Sequence, residues 1–140
     1  MRLFRKFFIR PPKLEGLEPG EAGEEWVSYL YKLEGYKILA RNYALYSKKK
    51  LGEIDIVCQK RNEIRIVEVK TRRDENFMNV FEAVDWRKQN YLRRMAKLFI
   101  QQNTRFADFP FQIDVAAVLL EPFDNRIRSV RIIENAIEDV

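Results

Sequence analysis

Two carboxylates and a lysine stand at spacings that suit metal-assisted hydrolysis. Asp55 lies in Leu51-Gly52-Glu53-Ile54-Asp55-Ile56-Val57-Cys58, and Glu68 and Lys70 lie in Ile64-Arg65-Ile66-Val67-Glu68-Val69-Lys70-Thr71. Both segments alternate with the period of two that a strand needs, and Lys60-Arg61-Asn62-Glu63 between them reads as a polar turn. On the first strand Ile54, Ile56 and Cys58 are expected on one face, against Glu53, Asp55 and Val57. On the second, Ile64, Ile66, Glu68 and Lys70 share one face, and Val67, Val69 and Thr71 the other. Charge inside an apolar strand is costly unless it is paired or bound to a metal. Carboxylates converging from adjacent strands form an all-oxygen site suited to Mg²⁺ or Mn²⁺. A lysine on the same face can orient or help deprotonate a water, or offset charge on a phosphate. The competing reading is an ordinary cross-strand lysine–carboxylate pair. Gly-Glu-Ile-Asp one hairpin upstream of Glu-Val-Lys favours the metal site.

These residues resemble the PD-(D/E)xK signature of restriction-endonuclease-like nucleases, with Ile54 where that signature has proline. The chain is more closely similar to the bacterial YraN-like family of predicted nucleases. The matching pieces are Gly23-Glu24, Gly35 to Asn42, Gly52 to Val57, Val67 to Arg72, and Ala83-Val84 followed by Lys88. The resemblance runs from about Gly20 to Leu120. It implies Asp55 and Glu68 as ligands of Mg²⁺ or Mn²⁺, the Val69 backbone carbonyl as a further ligand, and Lys70 serving the attacking water. It also implies a site role for Glu24, because related resolvases carry a glutamate on their first helix. The substrate it implies is DNA, with branched or otherwise structured DNA among the candidates.

Elements must position these groups. Gly20–Glu34 reads as a helix, with Pro19 at its start and Gly35 as its stop. Its packing stripe is expected at Ala22, Trp26, Tyr29, Leu30 and Leu33, with Glu21 and Glu24 off that stripe. Gly35–Tyr46 reads as a first strand. Lys48, Lys49 and Lys50 form a basic turn before the central hairpin, either a solvated turn or a phosphate-contacting loop. Arg72, Arg73 and Lys88 complete the expected nucleic-acid contacts. Asp74–Val80 reads as a polar loop and candidate substrate-facing flap. Asp85 can cap a helix from Trp86 to Gln102, whose buried stripe is Leu92, Met95, Ala96 and Phe99. Extending that stripe back reaches Lys88, which opposes the helix dipole in the first turn. A site beneath the helix start would account for it, as would a snorkelling side chain. Phe111–Leu120 is the last clear core strand, with Asp114 placed to orient a basic residue. Arg126–Glu134 reads as an edge strand, and Asn135–Val140 as a terminal turn.

The order α-β-β-β-α-β plus a C-terminal edge strand predicts an α/β fold, a mixed sheet flanked by helices, as the nuclease resemblance also implies. No glycine-rich phosphate loop follows a strand, which argues against a dinucleotide-binding fold. At 140 residues, 46% hydrophobic and 13% aromatic, the chain is expected to form one domain at 19–140. Residues 1–18 form a basic segment that need not be ordered. The net charge of +5 comes from its first fourteen residues, which hold Arg2, Arg5, Lys6, Arg10 and Lys13 and no acid. With Leu3, Phe4, Phe7 and Phe8 interleaved, this tail suits a nucleic acid, an acidic membrane surface or a protein partner, or no dedicated role. No apolar run approaches a membrane span, and no signal peptide is expected. The single Cys58 and the absence of histidine argue against a disulfide, a zinc site and a histidine-activated nucleophile. The lone cysteine points to the cytoplasm. Two function classes follow: a metal-dependent endonuclease, or a catalytically silent nucleic-acid-binding or assembly module. A homodimer is compatible with either.

Overall fold

The computed structural model describes residues 9–73 and 84–137. The first eight residues of the basic tail, the expected flap at Asp74–Val80, Ala83 and residues 138–140 lie outside it. Within it the elements are α1 (Pro19–Leu33), β1 (Lys37–Tyr46), β2 (Lys50–Lys60), β3 (Glu63–Arg72), α2 (Trp86–Gln102), β4 (Phe111–Leu120) and β5 (Ile127–Ile137). A short 3₁₀ turn, Thr104–Phe106, leads from α2 towards β4. The strands form one five-stranded sheet in the order β1-β2-β3-β4-β5. All neighbours are antiparallel except β3 and β4, which are parallel and joined by the crossover containing α2. This is the mixed α/β architecture read from the sequence. No helix among the described residues is long and apolar enough to cross a membrane.

Each face of the sheet buries its own cluster. Beneath α2 lie Leu92, Met95, Ala96 and Phe99, packed with Leu45, Val57, Ile64, Ile66, Ile113 and Val115. Beneath α1 lie Ala22, Val27 and Tyr31, with Ile56, Cys58, Val67, Val69, Ala116 and Val118. The alternation on β3 follows expectation, but β2 departs from it. Ile54 packs with the α2-side cluster, not with Ile56 and Cys58. It lies where β2 has lost its pairing to β3, which runs only from Ile56↔Val67 to Lys60↔Glu63.

The packing stripe of α1 is also corrected. Its buried residues are Ala22, Gly23, Val27, Ser28 and Tyr31, while Trp26, Tyr29, Leu30 and Leu33 are only half-buried. Large apolar residues suggested one face, but a close approach decided the other. A Cβ at Gly23 would stand 1.9 Å from Thr71 Oγ1, so the helix seats on β3 through its smallest residue. Gly35, with φ of 94°, ends the helix in the left-handed conformation that favours glycine. β5 runs on to Ile137, so Asn135–Ile137 belongs to the strand and not to a terminal turn.

Candidate active site

The site lies where β2 and β3 part. Continuing their antiparallel register beyond Ile56↔Val67 sets Asp55 opposite Glu68. The ladder ends there, and the Asp55 carboxylate replaces it by accepting a 2.8 Å hydrogen bond from the Val69 N–H. Glu68 follows Ile64 and Ile66 on the α2 side of β3, so it projects beneath the start of that helix. Its Oε1 lies 3.2 Å from Lys70 Nζ and 3.1 Å from Lys88 Nζ. The Glu68 side chain is almost fully buried, and the two lysines are about 30% exposed. A carboxylate this enclosed demands compensation, and two ammonium groups supply it.

Asp55 is less fully compensated. Burial raises its carboxyl from the usual carboxylate range to about 7. The nearby Glu68 charge adds to this, the Val69 N–H opposes it, and Glu24 contributes a further upward push. Two acids at one point resist ionising together unless a cation joins them. Glu24, from the first turns of α1, is raised as well, chiefly by burial. Asn42 and Arg41 oppose that shift, and Glu68 adds to it. Asn42 has a φ of 49° within β1, a left-handed conformation that asparagine tolerates.

Glu24 Oε1 is buried without a hydrogen-bond partner, as are Arg41 Nε and Thr71 Oγ1. Arg41 Nη2 stands 3.7 Å from Glu24 Oε1, and its Nη1 donates to Glu25 at 3.1 Å. Buried polar atoms are rarely left unsatisfied, so this orphaned oxygen invites a water or an ion. Among the described residues, however, no three acidic or cysteine side chains are gathered closely enough to hold a metal ion by themselves.

The other expected site residues divide. Lys50 pairs with Glu53 at the start of β2, and Lys48 and Lys49 are exposed in the preceding turn. Arg72 is exposed and donates to the Thr71 carbonyl at 2.8 Å. Arg73 turns its guanidinium to the 121–125 turn, donating to the Glu121 and Asp124 carbonyls and to Asn125 Oδ1. Lys88 is drawn into the carboxylate site. Asp114 does orient a basic residue, Arg65, at 2.9 Å.

Three groups about the site were not anticipated. Arg41 meets Glu24. The Tyr91 hydroxyl accepts from the Glu53 N–H at 3.0 Å, and its ring lies 4.7 Å beneath Lys88 Nζ. Gly52 makes room for that tyrosine, since a Cβ there would stand 2.3 Å from the hydroxyl. Tyr91 follows Lys88 by one helical turn, a spacing that could have signalled the contact.

A family model described as "Uncharacterised protein family UPF0102" matches residues 23–118, which span every element that builds this site. A UPF0102 protein of Alkaliphilus metalliredigens is 39% identical over 101 residues, 72% of this chain and 84% of that protein. One from Caldicellulosiruptor saccharolyticus is 37% identical over 119 residues, covering 85% and 96% of the two chains. A Clostridium botulinum relative of the same description is also 37% identical over 119 residues, covering 85% and 93%. The fold is thus an α/β mixed sheet with a paired-carboxylate site at its splayed strands. The chain belongs to the UPF0102, or YraN-like, family.

Proposed function

We propose that this protein is a Mg²⁺- or Mn²⁺-dependent endonuclease of the PD-(D/E)xK type that hydrolyses DNA phosphodiester bonds, branched or otherwise structured DNA included. The observation that carries the reading is the convergence of Asp55, Glu68, Lys70 and Lys88 where β2 and β3 part. The donor set fits a hard divalent ion: carboxylate oxygens only, an Asp55 carboxyl raised by burial and by the Glu68 charge, and a nearby buried Glu24 oxygen that makes no hydrogen bond. Asp55, Glu68 and the Val69 carbonyl would hold the ion, leaving its other positions to water and substrate oxygens, as Mg²⁺ prefers. Such an ion, when bound, polarises the phosphate and makes its water more acidic.

The chain's own groups do the rest. Asp55 is held in place by the Val69 N–H. Lys70 lies beside Glu68 on the same strand face, where it can orient the attacking water. Lys88 reaches the site from another element and supplies a second positive charge for a phosphate as its charge grows. Glu24 lies close enough to push the Asp55 carboxyl further upward, a supporting role at the site. Lys48, Lys49 and Arg72 are exposed and suited to backbone contacts. The buried thiol of Cys58, its pKa raised by burial, suits a reducing cytoplasm.

One observation favours the silent-module alternative. Glu68 is already neutralised by two lysines, so the site is internally balanced at that residue without an ion. Activity decides between the two. Linear, flapped and four-way DNA should be cut in Mg²⁺ or Mn²⁺ and left intact in EDTA. Asp55→Ala should abolish cutting. Lys70→Ala should slow it by roughly 10² or more while barely changing DNA affinity, because it removes a transition-state interaction. Failure of the wild-type protein to cut any of these substrates would leave the silent module as the better reading.

A further inference from the structure

The longest helix carries cations on a face that the carboxylate site does not use. α2 holds Arg87, Lys88, Arg93, Arg94 and Lys97 and no acid along its seventeen residues. Its buried stripe, Leu92, Met95, Ala96 and Phe99, faces the sheet, and Lys88 lies on that same side and meets Glu68. The opposite face presents Trp86, Arg87, Asn90, Arg94, Lys97 and Gln101, all exposed. These residues recur at three- and four-residue steps, so they form one outward ridge. Arg94 and Lys97 also border a shallow groove along the helix.

Asp85 caps the helix by accepting from the Lys88 N–H, and Lys88 is paired with Glu68, so neither the cap nor the carboxylate site uses Arg87 or Arg94. Apart from this helix and the first fourteen residues, the rest of the chain carries an excess of acid. α2 is thus a net-positive helix on a body that is otherwise net acidic.

We infer that the outward face of α2 is a second nucleic-acid contact surface, which binds the phosphate backbone of a segment other than the one at the carboxylate site. Arginine and lysine neutralise phosphates, the amides of Asn90 and Gln101 donate to phosphate and sugar oxygens, and exposed Trp86 offers a base a stacking face. A helix of this length spans about 25 Å, enough to follow several phosphates. A membrane surface fits less well, because the apolar face of α2 is spent on the core and Trp86 is the one large apolar side chain on the ridge. Because the ridge faces away from the sheet, a nucleic acid using both surfaces must be long or branched.

This inference shares with the proposed function only its substrate class, nucleic acid. It is tested by binding in Ca²⁺, under conditions where no cutting is measured. The full chain and the Arg87→Gln/Arg94→Gln/Lys97→Gln variant are titrated with a long duplex and a four-way DNA over a range of salt. The variant's slope of log affinity against log salt should be shallower by about two to three, near 0.9 per lost phosphate contact. Its affinity at low salt should fall roughly tenfold or more. Unfolding curves of both proteins check the fold, and Arg94→Lys should retain most of the affinity, since a backbone contact needs charge more than a planar fork. An unchanged slope in a folded variant overturns the ridge even if the wild-type protein cuts DNA. A reduced slope upholds it even if the protein cuts nothing, so the two readings fail separately. Ridge-dependent binding to phosphatidylserine vesicles, without ridge-dependent DNA binding, would also overturn it.

Discussion

At the scale of single residues, Asp55 is the acid among the described residues whose surroundings change its chemistry most. Its acid is raised to about 7 by burial first and by the Glu68 charge second. A carboxyl raised on folding holds its proton more tightly in the folded chain than in the unfolded one, where it titrates near 3.8. Its contribution to stability is therefore complete below about pH 4 and is lost as pH rises through about 7. Denaturant unfolding of the metal-free protein should show stability falling across that window, by up to about 4 kcal/mol. Asp55→Asn should flatten the decline. A wild-type stability that rises from pH 5 to pH 8 would contradict the assignment. Asp55, Glu68 and Lys70 were legible in the sequence because charge in an apolar strand is conspicuous. Tyr91 and Arg41 were not, because a tyrosine or arginine at a half-buried position is common and its partner lies on another element.

At the scale of elements, the strands were read more accurately than the face of the first helix. Strand alternation shows directly on β3 and β4, whereas α1 carries large apolar residues on more than one side. What chose its buried face was the approach of α1 to β3 at Gly23, a contact between segments 48 residues apart in sequence that no local pattern reveals. Gly23→Ala would force a methyl to within 1.9 Å of Thr71 Oγ1. It should cost about 1–3 kcal/mol by overpacking. Thr71→Ala in the same chain removes that oxygen, so the double variant should recover much of the loss in a urea titration. Equal destabilisation of the single and double variants would show that the contact is not what limits Gly23.

At the scale of the whole molecule, a buried polar node ties both ends of the chain together. Asp114, fully buried on β4, accepts from Tyr31 of α1 at 2.5 Å, Arg65 of β3 at 2.9 Å, Gln112 at 2.9 Å and the Asn135 N–H of β5 at 2.9 Å. Arg65 also meets Glu63 at 2.6 Å and Glu134 at 3.2 Å. Burial and the Asp114 charge push the Tyr31 phenol upward, so it stays a donor. Asn125 anchors the segment before α1 to the β4–β5 turn by donating to the Leu14 and Leu17 carbonyls at 2.7 and 2.8 Å. Arg65→Ala strands a buried carboxylate and should destabilise the fold by about 3–5 kcal/mol, read by chemical unfolding. Arg65→Lys should recover only part, because one ammonium cannot match the arginine fork. A loss below 1 kcal/mol would demote the node to a surface ion pair.

The claim on which the functional account rests is that Asp55 and Glu68 together hold one divalent ion, and a calorimetric Mn²⁺ titration of the metal-free protein tests it most directly. The account predicts one ion per chain, proton release near pH 7 as Asp55 gives up its raised proton, and loss of that binding in Asp55→Asn. Absence of Mn²⁺ binding by the wild-type protein, or undiminished binding by a folded Asp55→Asn/Glu68→Gln variant, would contradict it.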